Sequence, residues 1–192
     1  MAEPPTQIPW DTPSGNPWRS LVDTVRECLL HPLRFFALVP NSSDRWSALG
    51  YAVLLHLIGF SFGAVWSSLF QGSADLFALV RVLIAPLWVL ATVWLGSEMM
   101  HGLLVLLRGT TLPRTMTHRA VAYCYSTAAL GVIPVVGLRL GLLAALVYQV
   151  IALWKTHQTR LWKAVVVVLL TWLILLGLVV LAAGGLAPDD ES

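Results

Sequence analysis

Between Trp46 and Gly185 the chain contains four long apolar runs that carry almost no charge. Unpaired backbone N–H and C=O groups are expensive in hydrocarbon, so an apolar run of about 20 residues crosses a bilayer as a helix, whose hydrogen bonds are internal. A transmembrane β-barrel needs alternating apolar and polar residues, and runs such as residues 165–170 do not alternate. The sequence therefore predicts an all-α, polytopic membrane protein.

The composition agrees with a lipid environment. Hydrophobic residues make up 57% of the chain and charged residues 11%, whereas a soluble domain carries about 25% charged residues. Mean hydropathy is +0.76. The partners predicted from this balance are the lipid bilayer and either further copies of the chain or other membrane proteins, and no nucleic acid.

Charged and turn residues divide the apolar sequence into five predicted transmembrane helices. The run from about residue 74 to 107 is longer than a hydrocarbon core of about 30 Å requires. Either that helix is tilted, or its last third, after residues 96–98, lies at the interface. Turn-forming residues at 133–137 predict a helix hairpin between the third and fourth spans. The five predicted spans are residues 48–70, 76–99, 119–136, 139–155 and 162–184.

The basic residues predict the orientation of these spans. Lys and Arg in short loops stay preferentially on the cytoplasmic side. With the N-terminus inside, all of the 12 Lys and Arg residues except Arg81 and Arg139 fall in cytoplasmic segments or at their borders. We therefore expect a cytoplasmic N-terminus and an extracytoplasmic C-terminus. The sequence therefore predicts a multi-pass protein of a cell membrane. The high Arg and Ala content and the brief loops favour a bacterial inner membrane.

The sequence outside the spans divides into three parts. Residues 1–16 are rich in proline and predict a disordered tail, and residues 185–192 form an acidic tail. Residues 17–47 predict a cytoplasmic amphipathic segment, with Asn16 as N-cap, Pro17 in the first turn and Pro32 as an interruption. Two interpretations remain open for this helix: it binds the membrane surface or a partner, or it packs beneath the cytoplasmic ends of the spans. Its apolar positions are Trp18, Leu21, Val22, Val25, Cys28 and Leu29.

Polar residues inside predicted spans are candidates for function because each is expensive in lipid. His56 lies in the middle of the first span, and Glu98 and His101 lie three residues apart on one face of the second. These three residues predict either an ion or proton path or, for Glu98 and His101, a local hydrogen bond. Glu-x-x-His is half of a di-metal site, but no second copy exists, so neither a metal site nor a cofactor is predicted.

Small and aromatic residues predict where the helices pack closely. Gly137, Gly141 and Ala145 place a small residue at every fourth position, which allows another helix to approach. Tyr123 is positioned to hydrogen-bond across the hairpin that Pro134 helps to form. The sequence leaves open whether the neighbouring helix belongs to the same chain or to another copy.

No motif for hydrolysis, phosphate binding or zinc binding is present, so no catalytic residue and no enzymatic activity are predicted. Six short stretches carry a family resemblance. They are residues 32–36 (Pro-Leu-Arg-Phe-Phe), 48–52 (Ala-Leu-Gly-Tyr-Ala), 120–123 (Ala-Val-Ala-Tyr), 133–137 (Ile-Pro-Val-Val-Gly), 154–157 (Trp-Lys-Thr-His) and 163–164 (Lys-Ala). With these stretches, residues 30–184 resemble the Yip (Rab-interacting) family of five-span membrane proteins, in its bacterial Yip-one branch. The Asp-Leu-x-Gly-Pro stretch of eukaryotic members is absent, so Rab binding is not carried over.

The resemblance implies a non-enzymatic protein that organises membranes or binds partner proteins, without an established ligand site. A membrane-organising or partner-binding scaffold is therefore the leading interpretation. The alternative is a small oligomeric channel or transporter for ions or protons, which would use His56, Glu98 and His101.

Overall fold

A computed structural model of the chain describes residues 7–12, 15–40, 44–71 and 76–184, and every regular element in these ranges is helical. The predicted acidic tail, residues 185–192, lies outside the described residues. In chain order the elements are α1 (Pro17–Leu30), α2 (Pro32–Ala37), α3 (Trp46–Gln71), α4 (Leu76–Leu106), α5 (Arg114–Tyr123), a 3₁₀ helix (Cys124–Val132), α6 (Gly137–Thr156) and α7 (Leu161–Gly184).

Four of these helices are long and apolar enough to cross a membrane. The qualifying stretches are Trp46–Phe70 of α3, Leu83–Leu106 of α4, Arg139–Thr156 of α6 and Leu161–Leu181 of α7. Helices α3, α6 and α7 begin and end within two residues of the expected bounds, whereas α4 continues to Leu106, beyond the expected end at residue 99. The prediction of an all-helical chain is confirmed, with four helices that could span a membrane.

The third predicted span, residues 119–136, differs from a single α-helix. Its sequence instead forms the end of α5 and a nine-residue 3₁₀ helix. Ser126 and Thr127 donate their hydroxyls to the carbonyls of Tyr123 and Cys124, three residues earlier, at 2.8 and 2.9 Å. Hydroxyl bonds of this kind compete with the regular helical ladder, and the turn tightens from the α to the 3₁₀ form.

The 3₁₀ helix packs between α3 and α6 through glycines. A Cβ atom added to Gly59 of α3 would overlap the carbonyl of Ala128, and one added to Gly137 of α6 would overlap that of Leu130. A Cβ at Gly141 would lie 3.0 Å from the carbonyl oxygen of Thr127. These backbones approach so closely because there is no side chain between them.

Helix α1 has the expected bounds but a different inner face. The side chain of Asn16 accepts hydrogen bonds from the backbone N–H groups of residues 18 and 19, as expected of an N-cap. The residues buried against the bundle are Ser20, Leu21, Thr24 and Cys28. Of the predicted apolar face, Trp18 and Val22 are instead 63% and 61% exposed. Packing beneath the spans therefore buries only part of the predicted apolar face.

Residues 7–12 differ from the expected disordered tail. Ile8 is buried, the indole N–H of Trp10 donates to the carbonyl of Ser47 at 2.8 Å, and the backbone N–H of Trp10 donates to Thr24 at 2.9 Å. The ring of Trp10 also lies against that of Tyr51. Proline prevents regular structure here, but these apolar and aromatic side chains gain enough burial to fix the segment.

Candidate functional site

Two clusters of polar side chains meet at the end of the bundle where α3 begins and α6 ends, and both are centred on α5. We name them the histidine cluster and the Asp11 cluster. The histidine cluster consists of Glu98 and His101 of α4, Thr110, Arg114, Thr117 and His118 around α5, and His157 after α6. The Asp11 cluster consists of Asp11, Ser47, Arg119 and Tyr123.

One half of the histidine cluster is a chain of hydrogen bonds between neutral groups. The hydroxyl of Thr117 lies 2.9 Å from Nδ1 of His101 and 3.0 Å from Nε2 of His157, and Nδ1 of His157 lies 2.7 Å from the hydroxyl of Thr110. A neutral imidazole offers one donor and one acceptor, so the chain is satisfied with its donors pointing in either direction. It therefore joins α4, α5 and the segment after α6 without any charge.

Burial keeps His157 uncharged. Burial, and to a smaller extent the nearby His101, together lower the pKa of His157 from 6.5 to about 4. The two threonine hydroxyls could also accept from a doubly protonated ring, so burial, and not these hydrogen bonds, favours the neutral form.

The other half of the histidine cluster is ionic. Glu98 Oε1 accepts a hydrogen bond from His118 Nε2 at 3.1 Å, and Arg114 approaches its second oxygen at 3.6 Å. His118 is buried, and its Nδ1 has no partner among the described residues. The expected bond between Glu98 and His101 is not formed, since each of the two side chains bonds to α5 instead.

The Asp11 cluster ties the N-terminal segment to the bundle. Asp11 Oδ1 accepts from the hydroxyl of Tyr123 at 2.7 Å and from that of Ser47 at 3.3 Å, while Oδ2 pairs with Arg119 at 2.5 Å. Arg119 also donates to the carbonyl of Asp44. The side chain of Arg119 is only 2% exposed, so its charge depends on these partners.

The sequence did not predict this cluster, because Arg119 was interpreted as one of the basic residues in a cytoplasmic loop. A signal was present, since a charged residue at the start of a predicted span requires a partner. The sequence did not indicate which of the distant acidic residues would supply it.

The predicted helix-packing residues lie in four different settings. Gly137 and Gly141 face the 3₁₀ helix of their own chain, and Tyr123 bonds to Asp11 instead of bridging the hairpin. Pro134 lies exposed in the turn between the 3₁₀ helix and α6, and Ala145 lines a cavity. The question of which chain the glycines contact is answered for these two positions.

The cavity has a volume of about 700 Å³ and lies between α3, α4, α6, α7 and the 3₁₀ helix. Its wall is mostly apolar and includes the exposed side chains of Trp88, Leu95 and Leu176. The polar groups in its wall include His56, a Thr92–Tyr125 hydroxyl pair at 2.8 Å and a Trp172–Gln149 bond at 2.8 Å.

The three residues of the predicted ion path are therefore found in two places. His56 stacks on Phe60 and lies edge-on to Tyr125 in the cavity wall, whereas Glu98 and His101 belong to the histidine cluster. No hydrogen bond joins the two places within the described ranges.

Within the part of the chain that the structure describes, no three His, Cys, Asp or Glu side chains are arranged to hold a metal ion. Comparison of the chain with protein-family models, with curated proteins and with solved structures found no match.

Proposed function

We propose that this protein is a non-enzymatic, Yip-like scaffold of the bacterial inner membrane that organises the bilayer or binds partner proteins. The observation that carries this proposal is that the buried polar side chains of the two clusters bond to one another. Arg119 and Asp11 bond to each other, and His101, Thr117 and His157 bond in a chain. These contacts fix the N-terminal segment and the spans in one arrangement, which is the requirement of a scaffold.

Five spans follow if α5 and the 3₁₀ helix together form the third. Their combined length is about 30 Å from the rise per residue of each helix type, which matches a hydrocarbon core. An irregular backbone is tolerated at membrane depth where protein surrounds it, and most of the residues from Met116 to Thr127 are buried. The distribution of basic residues then favours an N-terminus in the cytoplasm and a C-terminus outside.

Labelling of introduced cysteines tests this topology. The two native cysteines are buried, so they form a low background. In intact cells whose outer membrane has been made permeable, a membrane-impermeant maleimide should label Val135→Cys in the turn before α6. Arg108→Cys, after α4, should react only after the inner membrane is opened. The reverse pattern, or equal labelling, would contradict the proposed orientation.

Extraction of the tagged protein into lipid nanodiscs, followed by mass spectrometry, tests the scaffold function. A foreign membrane protein present in stoichiometric amount would support it and identify the partner. A closed homo-oligomer with no other protein would contradict partner binding and favour the alternative.

That alternative is a small oligomeric channel or transporter for ions or protons. The observation that favours it is the position of His56 in the wall of a 700 Å³ cavity between the candidate spans. Reconstituted protein should then conduct protons, and Glu98→Gln or His56→Gln should reduce the flux. An absence of flux, or an unchanged flux in both variants, would refute a path through these residues.

A further inference from the structure

The outer surface of α1 combines three different faces. Successive residues of an α-helix turn by about 100°. The buried residues Ser20, Leu21, Thr24 and Cys28 occupy one sector, which contacts the bundle. Trp18, Val22, Val25 and Leu29 share a second sector of about 60°. The charged residues, listed in order around the helix away from this apolar sector, are Arg26, Arg19, Asp23 and Glu27.

Only part of the apolar sector packs within the chain. Val25, on the side of the sector nearest the bundle, packs against the core, and Leu29 is half-buried, whereas Trp18 and Val22 are more than 60% exposed. A helix that only packed beneath the spans would bury its most apolar residues. This helix buries two hydroxyl side chains, Ser20 and Thr24, beside Leu21 and Cys28, and leaves a tryptophan exposed.

The order of charges around the helix identifies the environment of the apolar sector. The two arginines are adjacent to it, and the two acids lie beyond them, toward the bundle. An amphipathic helix in a membrane interface places its basic residues at this boundary, where they reach the lipid phosphates, and its acids toward water. Arg19 is 79% exposed and pairs only loosely with Asp23, at 3.8 Å, so its guanidinium is accessible to a phosphate.

Contacts hold α1 near the end of the bundle where α3 begins. The hydroxyl of Tyr148, eight residues before the end of α6, donates to the carbonyl of Leu29 at 2.8 Å, so the C-terminal part of α1 reaches into the bundle. The middle of α1 lies closer to that end, because Trp10 donates through its backbone N–H to Thr24 at 2.9 Å and through its indole N–H to the carbonyl of Ser47, at the start of α3, at 2.8 Å. Basic and aromatic side chains are paired at the same end of the bundle: Arg45 on Trp46, Lys155 on Trp154 and Lys163 on Trp162. Such residues are typical of a membrane–water interface.

We infer that α1 lies in the interface of the membrane that the spans cross, with Trp18 and Val22 among the lipid chains and Arg19 and Arg26 on anionic phospholipid headgroups. This rests on the membrane character of the spans and does not depend on the scaffold function. It assigns the protein a binding surface for acidic lipid.

Spin labels test the placement of the two outer sectors in the whole protein. The protein is reconstituted into nanodiscs of phosphatidylcholine and phosphatidylglycerol, with a label on Val22→Cys or, as the matched control, on Glu27→Cys. Unsubstituted protein reports any labelling of the native cysteines. At Val22 collisions with oxygen, which dissolves in lipid, should exceed those with a water-soluble nickel chelate, and at Glu27 the order should reverse.

Two results would overturn the placement. Equal access of the nickel chelate to both positions would place the apolar sector in water. Shielding of Val22 from both reagents would mean that a second protein copy covers it.

Loss of the arginines tests the choice of lipid. A basic residue near an anionic surface favours acidic lipid by about fivefold, so Arg19→Gln with Arg26→Gln should reduce the preference for phosphatidylglycerol over phosphatidylcholine by at most about 25-fold. Native mass spectrometry of the bound lipids measures this ratio. Glu27→Gln is the control and should not reduce it. A preference unchanged in the double variant would refute the headgroup contact even if the spin labels confirm the depth.

Discussion

Removal of the Asp11 carboxylate should destabilise the protein far more than removal of a carboxylate on its surface. The side chain of Arg119 is only 2% exposed. Asp11→Ala therefore leaves a buried guanidinium without its ionic partner. Breaking a buried pair in this way costs about 3–5 kcal/mol, because one charge remains buried and unpaired. Asp23→Ala removes the same group from an exposed pair with Arg19, where the expected loss is at most about 1 kcal/mol.

The assay is a denaturant titration of both variants in mixed micelles, with hydrogen exchange as a second readout. If residues 7–12 detach in Asp11→Ala, water can reach Arg119 and hydrate its charge. The measured loss of stability then cannot exceed the free energy with which that segment packs on the bundle. In that case exchange at Trp10 should rise strongly in Asp11→Ala and stay unchanged in Asp23→Ala. Equal losses of stability in the two variants, with protected exchange at Trp10 in both, would refute the argument from the buried pair.

Three further substitutions test the packing and the histidine cluster, each by the free energy of unfolding. Gly59→Ala should lower the free energy of unfolding by about 1–3 kcal/mol, because the added methyl group overlaps the 3₁₀ helix. In the control Gly63→Ala the added Cβ meets nothing within 4 Å, so the free energy of unfolding should rise by up to about 1 kcal/mol. Similar effects of the two substitutions would contradict the close approach at Gly59. Thr117→Val leaves one imidazole nitrogen of His101 and one of His157 unpaired, and should lower the free energy of unfolding by about 2 kcal/mol or more. Thr115→Val is the control in the same helix and should change it by less than about 0.5 kcal/mol. Because the pKa of His157 is lowered from 6.5 to about 4, the unfolded chain takes up this proton first as the pH falls. The stability of the wild type relative to His157→Gln should therefore be full above pH 6.5 and decline by up to about 3 kcal/mol toward pH 4; a difference independent of pH would contradict a buried neutral ring.

The third predicted span shows where reading the sequence was incomplete. Its apolar content correctly indicated a position within the bundle, but the change from α5 to the 3₁₀ helix depends on Ser126 and Thr127 bonding to backbone carbonyls. It also depends on the glycines of α3 and α6, which allow both helices to approach the 3₁₀ helix. These neighbours are distant in sequence, so periodicity along one segment does not reveal them.

The inner face of α1 shows the same limit. Hydrophobic periodicity placed a helix from Pro17 and left open whether its apolar face packs beneath the spans or meets the membrane surface or a partner. In the structure Leu21 and Cys28 of that face are buried together with Ser20 and Thr24, whereas Trp18 and Val22 are exposed. Periodicity identifies two kinds of face, apolar and polar. A helix that lies between protein, lipid and water has three, and only its contacts show which face meets which neighbour.

The sequence by itself determined the all-helical membrane class, the bounds of α3, α6 and α7 and the cap of α1. Each of these depends on the free energy of moving a local segment between water and lipid, or on backbone bonds within a few residues. Only the tertiary structure decided that Asp11 pairs with Arg119, that the histidine chain joins three elements, and that His56 is separate from Glu98 and His101. Such tertiary contacts join residues up to 120 positions apart. Many acids, bases and hydroxyls along the chain would satisfy the same chemistry, so packing decides which of them meet.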